Sequence, residues 1–120
     1  MDIMNLGDCQ AFITKDGSQI RELLSHRNSV IRKQSLAEAT VPPGAITQRH
    51  YHPVTEEIYF ILEGQGDMMM ALEVRSVGPG DAIAIPPGTE HSIQNTGDVP
   101  LRFLCCCAPC YEHEDTVIVT

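Results

Sequence analysis

Eight prolines and nine glycines fall between short apolar runs along this chain, and no long stretch keeps the hydrophobic period of a helix. That punctuation belongs to barrels and sandwiches of short strands. Residues 8–14, 34–41, 45–52, 57–63, 66–71, 73–77, 81–85, 91–95, 100–107 and 116–119 read as strands. Pro42-Pro43-Gly44, Val77-Gly78-Pro79-Gly80-Asp81 and Pro86-Pro87-Gly88 read as the turns between them. One helical turn is expected over residues 19–24, because Asp16 and Gln19 have capping-box spacing. A chain of 120 residues without repeat, linker or low-complexity tract is one domain.

The residues with chemical consequence lie in two rigid frames. His50, His52 and Glu57 occupy Gly44-x5-His50-x-His52-x4-Glu57-x6-Gly64, and His91 occupies Gly80-x5-Pro86-x-Gly88-x2-His91-x3-Asn95. Alternate side chains of a strand share a face, so His50 and His52 project together while Arg49 and Tyr51 point away. A bend over residues 53–56 brings Glu57 in at the start of the next strand, and the Pro-Gly turn at residues 86–88 delivers His91 from another. A lone histidine is best read as a satisfied core or surface residue. Three imidazoles and a carboxylate in two spaced frames instead match a divalent transition metal, with about two positions left open on a six-coordinate ion.

Both stretches resemble the two signature motifs of the cupin superfamily over residues 44–95. The resemblance implies a double-stranded β-helix jelly-roll barrel holding a metal at the positions of His50, His52, Glu57 and His91. Fe, Mn, Ni, Co, Cu and Zn all suit that donor set. Glu56 is the near alternative to Glu57, but only Glu57 keeps six residues before Gly64. Residues 34–108 then form the conserved barrel, 1–33 an N-terminal strand with a loop or short helix, and 109–120 a C-terminal tail. The wider pattern resembles single-domain bacterial cupins labelled mannose-6-phosphate isomerase-like, a likeness of fold that carries no substrate. The implied activity is dioxygenase-like oxidation or sugar and sugar-phosphate isomerisation of a small molecule. The alternative is a ligand-binding or sensor module without turnover.

Strand parity places further groups. Gln48 and Ile46 share the face of His50, and Tyr59 and Ile61 that of Glu57, which makes Gln48 and Tyr59 the candidates for proton handling or substrate orientation. Met68, Met69 and Met70 read as packing. Cys9, Cys105, Cys106, Cys107 and Cys110 read mainly as core thiols, at least one of residues 105–107 facing inward; Cys107-Ala108-Pro109-Cys110 has redox spacing without the helix that would activate it. The tail from Tyr111 to Asp115 reads as a solvated segment, or else a lid. His26 with Arg27, Arg32 and Lys33 reads as a solvated loop, or else an edge for an anionic ligand.

A net charge of −8, from 16 acidic and 8 basic residues, disfavours nucleic acid and anionic membrane surfaces as partners and leaves a small molecule. With no signal-like N-terminus and no membrane-length apolar run, a cytoplasmic setting is expected. Cupins of this size resemble homodimers, and exposed strand edges give a small barrel reason to pair.

Overall fold

The structure is a computed structural model describing all residues, Met1–Thr120. Eleven strands follow in order: β1 (Phe12–Ile13), β2 (Gln19–Leu24), β3 (Ser35–Val41), β4 (His50–Tyr51), β5 (Glu56–Glu63), β6 (Gly66–Met70), β7 (Glu73–Val77), β8 (Ala82–Ile85), β9 (His91–Asn95), β10 (Leu101–Ala108) and β11 (Val117–Ile118). The only helical segments are single 3-10 turns at Leu6–Asp8 and His113–Asp115, and no helix is long and apolar enough to cross a membrane. A six-stranded sheet, ordered β1-β2-β3-β10-β5-β8, faces a five-stranded sheet, ordered β11-β4-β9-β6-β7. The two antiparallel layers form the jelly-roll barrel that the sequence implied.

Alternation along the longest strands divides inside from outside. On β5, Glu57, Tyr59 and Ile61 are buried while Glu56, Ile58, Phe60 and Leu62 are exposed; on β10, Leu101, Phe103, Cys105 and Cys107 are buried. The register sets Phe103 beside Ile61, Cys105 beside Tyr59 and Cys107 beside Glu57. The barrel is thereby graded along its axis. One end is an apolar plug in which Ile61, Ile93, Leu101 and Phe103 are at most 1% exposed; burying a side chain of that size contributes roughly 2–3 kcal/mol each. Toward the other end the inward positions turn polar, with the ring of Tyr59 at the boundary, 4.5 Å between centroids from Phe103 and 5.9 Å from His91.

Two expectations give way here. Residues 19–24 form β2 rather than a helical turn: Ile20 pairs with Ala39 and packs on the core, so ladder bonds to β3 outweigh the local capping signal. Residues 45–52 are not a continuous strand either. Only His50–Tyr51 enters the ladder, with one isolated bridge from Ile46 to Gln94.

Candidate metal centre

His50 on β4 lies directly opposite His91, the first residue of β9. His52 follows one residue beyond the end of β4, as strand alternation requires. The three rings have centroid separations of 4.3, 5.1 and 5.6 Å, and a ligating atom from each lies within 4.8 Å of the others. All three residues are buried.

Hydrogen bonding fixes which nitrogen each ring turns inward. His50 Nδ1 donates to the carbonyl of Gln48 at 2.8 Å, His91 Nδ1 to that of Thr89 at 2.9 Å, and His52 Nδ1 to that of Asp115 at 3.1 Å. A carbonyl only accepts, so the proton sits on Nδ1 and each Nε2 presents a lone pair to the centre. Burial, followed by the neighbouring His91, pulls the His50 imidazole below its ordinary range, which keeps it neutral and able to ligate.

Glu57 reaches toward two of these rings from the other sheet, outside the cluster that the three imidazoles form. Its Oε1 is 3.3 Å from His52 Nε2 and 3.6 Å from His91 Nε2, and its Oε2 accepts from the Cys107 thiol at 3.3 Å. Burial resists ionisation of this carboxyl; only when His52 and His91 carry a proton on Nε2 as well does their charge outweigh burial and pull its pKa down to about 2, so without a cation the carboxylate and the ligating tautomers oppose each other. Glu57 Oε1 and His91 Nε2 are nevertheless buried without a hydrogen-bond partner of proper geometry. Stranding two such atoms side by side costs roughly 1–3 kcal/mol each unless another group satisfies them. A cation shared by both does so, and the donor set fits one. Glu56, the alternative carboxylate, is exposed on the opposite face.

The two groups proposed for substrate handling separate. Tyr59 is buried and lines the cavity beside the imidazoles, and burial, reinforced by Glu57, raises its hydroxyl well above the ordinary range, so it stays a neutral donor. Gln48 is exposed and does not line the cavity, and Ile46 is likewise exposed. Parity fails there because the Gln48 amide donates to the carbonyl of Asp16 at 2.7 Å, while Thr47 turns inward and its Oγ1 accepts from Ile93 N. The chain leaves the ladder between Thr47 and His50, and the alternation shifts.

Asp16 is the site residue that sequence reasoning missed. Its Oδ1 accepts from Thr14 Oγ1 (2.7 Å), Ser18 N (2.9 Å) and Ser18 Oγ (2.6 Å), while Oδ2 lies 3.6 Å from His50 Nε2. The Asp-Gly-Ser turn was visible; that the turn folds over the mouth of the barrel was not.

The tail is neither free nor merely a lid. β11 pairs with β4, setting Ile118 beside His50, the Asp115 carboxylate accepts from Val54 N and Thr55 N, and the Asp115 carbonyl orients His52. Removing residues 113–120 is expected to weaken metal affinity by about 10–100-fold, since His52 loses the acceptor that fixes its tautomer. Competition with a chromophoric chelator measures this, and unchanged affinity would assign the tail no part in the centre.

Of the cysteines, Cys105 and Cys107 face inward and Cys106 outward, and all five are free thiols. Burial, then the Glu57 charge, pushes the Cys105 and Cys107 thiols up, so they are neutral rather than nucleophilic. Cys110 Sγ donates to the Gln34 carbonyl at 2.9 Å.

Residues 37–107 match the family model of the Cupin domain. Among curated proteins, the uncharacterized protein MJ1618 of Methanocaldococcus jannaschii is 56% identical over 108 residues, 90% of this chain and 86% of that one. The oxalate-binding protein of Thermotoga maritima is 33% identical over 86 residues, 72% of this chain and 71% of its own length. Among solved structures, the polyketide cyclase RemF from Streptomyces resistomycificus aligns with a TM-score of 0.84 at 25% identity, covering 100% of this chain and 86% of that one.

Proposed function

Because this chain belongs to the cupin family, we propose that its barrel holds one divalent transition metal on His50, His52, His91 and Glu57, and that it is a small-molecule metalloenzyme, with dioxygenase-like oxidation ranked narrowly ahead of sugar or sugar-phosphate isomerisation. The observation that carries the metal is the convergence of three buried imidazoles whose Nδ1 atoms are held by carbonyls, with a partnerless Glu57 oxygen 3.3 Å from His52 Nε2 and 3.6 Å from His91 Nε2. Once bound, the ion supplies Lewis acidity and exchangeable positions for a small molecule or oxygen.

The chain's own residues do the rest. The carbonyls of Gln48, Thr89 and Asp115 hold the imidazoles in the ligating tautomer. The Cys107 thiol anchors Glu57 Oε2 and leaves Oε1 turned inward. To Tyr59, a neutral hydroxyl in the wall, we assign the orienting of a substrate oxygen by donation to it. Oxygen consumption by the Fe(II)-loaded protein against small acids, diketones and thiols tests the oxidative reading, with uptake expected for at least one class. The second reading, a module that holds a ligand without turnover, draws support from the likeness to an oxalate-binding protein. Tight retention of a co-purified ligand with no oxygen uptake across the panel decides for it.

The protein is also proposed to be a homodimer. Ile58, Phe60 and Leu62 stand 47%, 38% and 38% exposed in a row on the outer face of β5, flanked by half-buried Leu104 and Cys106 of β10. A lone barrel gains nothing from such a face, whereas a second copy covers it. Light scattering is expected to give twice the 13.2 kDa of one chain, and Ile58→Asp with Phe60→Asp to give the monomer. A monomeric unmodified protein would remove the proposal.

A further inference from the structure

The charge and shape of the cavity restrict what reaches this centre, on the premise that the metal is bound as just proposed. Phe12, Ile20, Ala37, Ala39, Phe103 and Tyr111 give it apolar and aromatic walls. Apart from the histidines, its ionisable lining consists of carboxyls and weak acids; no Lys or Arg lines it, and its carboxyls are Asp16, Glu22 and Glu57.

Three of the cations nearby in sequence are already engaged. Arg27 donates to Glu22, to Glu112 and to the carbonyl of Tyr111. Lys15 Nζ donates to the Thr116 carbonyl at 3.2 Å, and Arg32 donates to the carbonyls of Ser29 and Ile31. Of the basic loop offered by the sequence as an edge for anions, Arg27 and Arg32 are held by carboxylates and main chain, and none of Arg27, Arg32 and Lys33 lines the cavity.

A simple count of charge follows. Two positive charges on a divalent ion meet Glu57 and Asp16, and the sum is zero, with Glu22 balanced by Arg27. A dicarboxylate or a phosphate monoester entering that space brings an excess of negative charge into a partly desolvated site with no cationic side chain to pair it. An uncharged molecule brings no such penalty. Asp16 meanwhile offers it an acceptor. Oδ1 is saturated by three donors, whereas Oδ2 has only the lone-pair face of His50 Nε2 before it and is free to take a hydrogen bond from the cavity.

We propose that the cavity takes an uncharged molecule with a flat apolar body and at least one hydroxyl group, a phenol in the simplest case, whose O–H donates to Asp16 Oδ2, and that it rejects dicarboxylates and sugar phosphates. Asp16 is then a specificity-determining group, and this chain differs in ligand from the relative named for oxalate.

Calorimetric titration of the full-length Zn(II)-loaded protein with 2-naphthol, oxalate and glucose 6-phosphate tests this, with zinc content measured before and after. The expected result is that 2-naphthol binds at least about tenfold more tightly than either anion, the discrimination a hydrogen bond to a charged group provides. Asp16→Asn should lower naphthol affinity about tenfold and raise oxalate affinity, while one zinc per chain is kept. Opposite signs for the two ligands are something a merely structural role for Asp16 does not produce. Oxalate or glucose 6-phosphate binding as tightly as naphthol with zinc retained, no naphthol binding at millimolar concentration, or a variant that loses both ligands alike overturns the proposal and leaves the metal centre standing. Loss of zinc from Asp16→Asn makes Asp16 a ligand and overturns its assigned role. An unmodified protein that takes up no zinc or other divalent metal sinks the metal reading, and this proposal with it.

Discussion

Replacing His50 and His52 together with alanine is expected to take metal content from about one equivalent per chain to near zero, because it removes two of the three inward lone pairs. What remains, His91 and Glu57, is a two-donor fragment reaching in from different sheets, which holds a transition ion far more weakly than four donors do. The fold should survive. The cluster that closes the barrel, including Ile61, Ile93, Leu101 and Phe103, contains neither histidine, and both rings sit at the polar end. Elemental analysis of the purified double variant reads the metal, and far-ultraviolet circular dichroism reads the strands. Full metal content in a folded variant would place the ion elsewhere and remove the centre.

Gly64→Ala is expected to cost about 3 kcal/mol or more, a fall in melting temperature of roughly 10 °C or more for a domain of this size. Gly64 has φ +90°, a region L side chains rarely adopt, and an added methyl carbon would lie 2.8 Å from the Pro100 carbonyl oxygen and 2.9 Å from Leu101 Cα. Both contacts are main chain and cannot rotate away, so the β5–β6 turn must move relative to the start of β10. Gly80→Ala is the control. It shares the positive φ, at +92°, but nothing lies within 4 Å of the added carbon, so only the conformational penalty remains, about 1 kcal/mol. Equal melting points for the two variants would show that the close approach at Gly64 carries no weight.

The contrast between those glycines explains what could be read from sequence and what could not. Spaced glycines and prolines announced turns, and the apolar runs between them announced β5 and β10 nearly to the residue, because those strands are long enough for period-two burial to dominate. The same rule carried past its domain misplaced Gln48: a side chain's face follows from parity only while the ladder is unbroken, and the Gln48 amide bonds to the β1–β2 turn instead. Residues 19–24 misled in the opposite direction. A local capping pattern was present, but Ile20 gained more by packing on the core beside Ala39.

Contributions from distant chain were the least legible. Asp16 belongs to a turn 34 residues before His50, and the carbonyl that orients His52 comes from Asp115, 63 residues later. Carbonyls have no residue-type signature, so nothing in the amino-acid string marks Asp115 as supporting an imidazole. Tail residues rich in Glu and Asp look solvated for the same reason that they make good caps: their oxygens accept from main-chain N–H groups wherever these are left over, here at Val54 and Thr55.

The three imidazoles ride on or just beyond strands of one layer, whereas Glu57 rides on the other. Fluctuation in the gap between the layers leaves the triangle of nitrogens intact and stretches the carboxylate's reach alone. If Glu57 ligates as proposed, it is the one donor that crosses between the layers, and their separation would loosen it while the imidazoles kept the ion on the opposite wall.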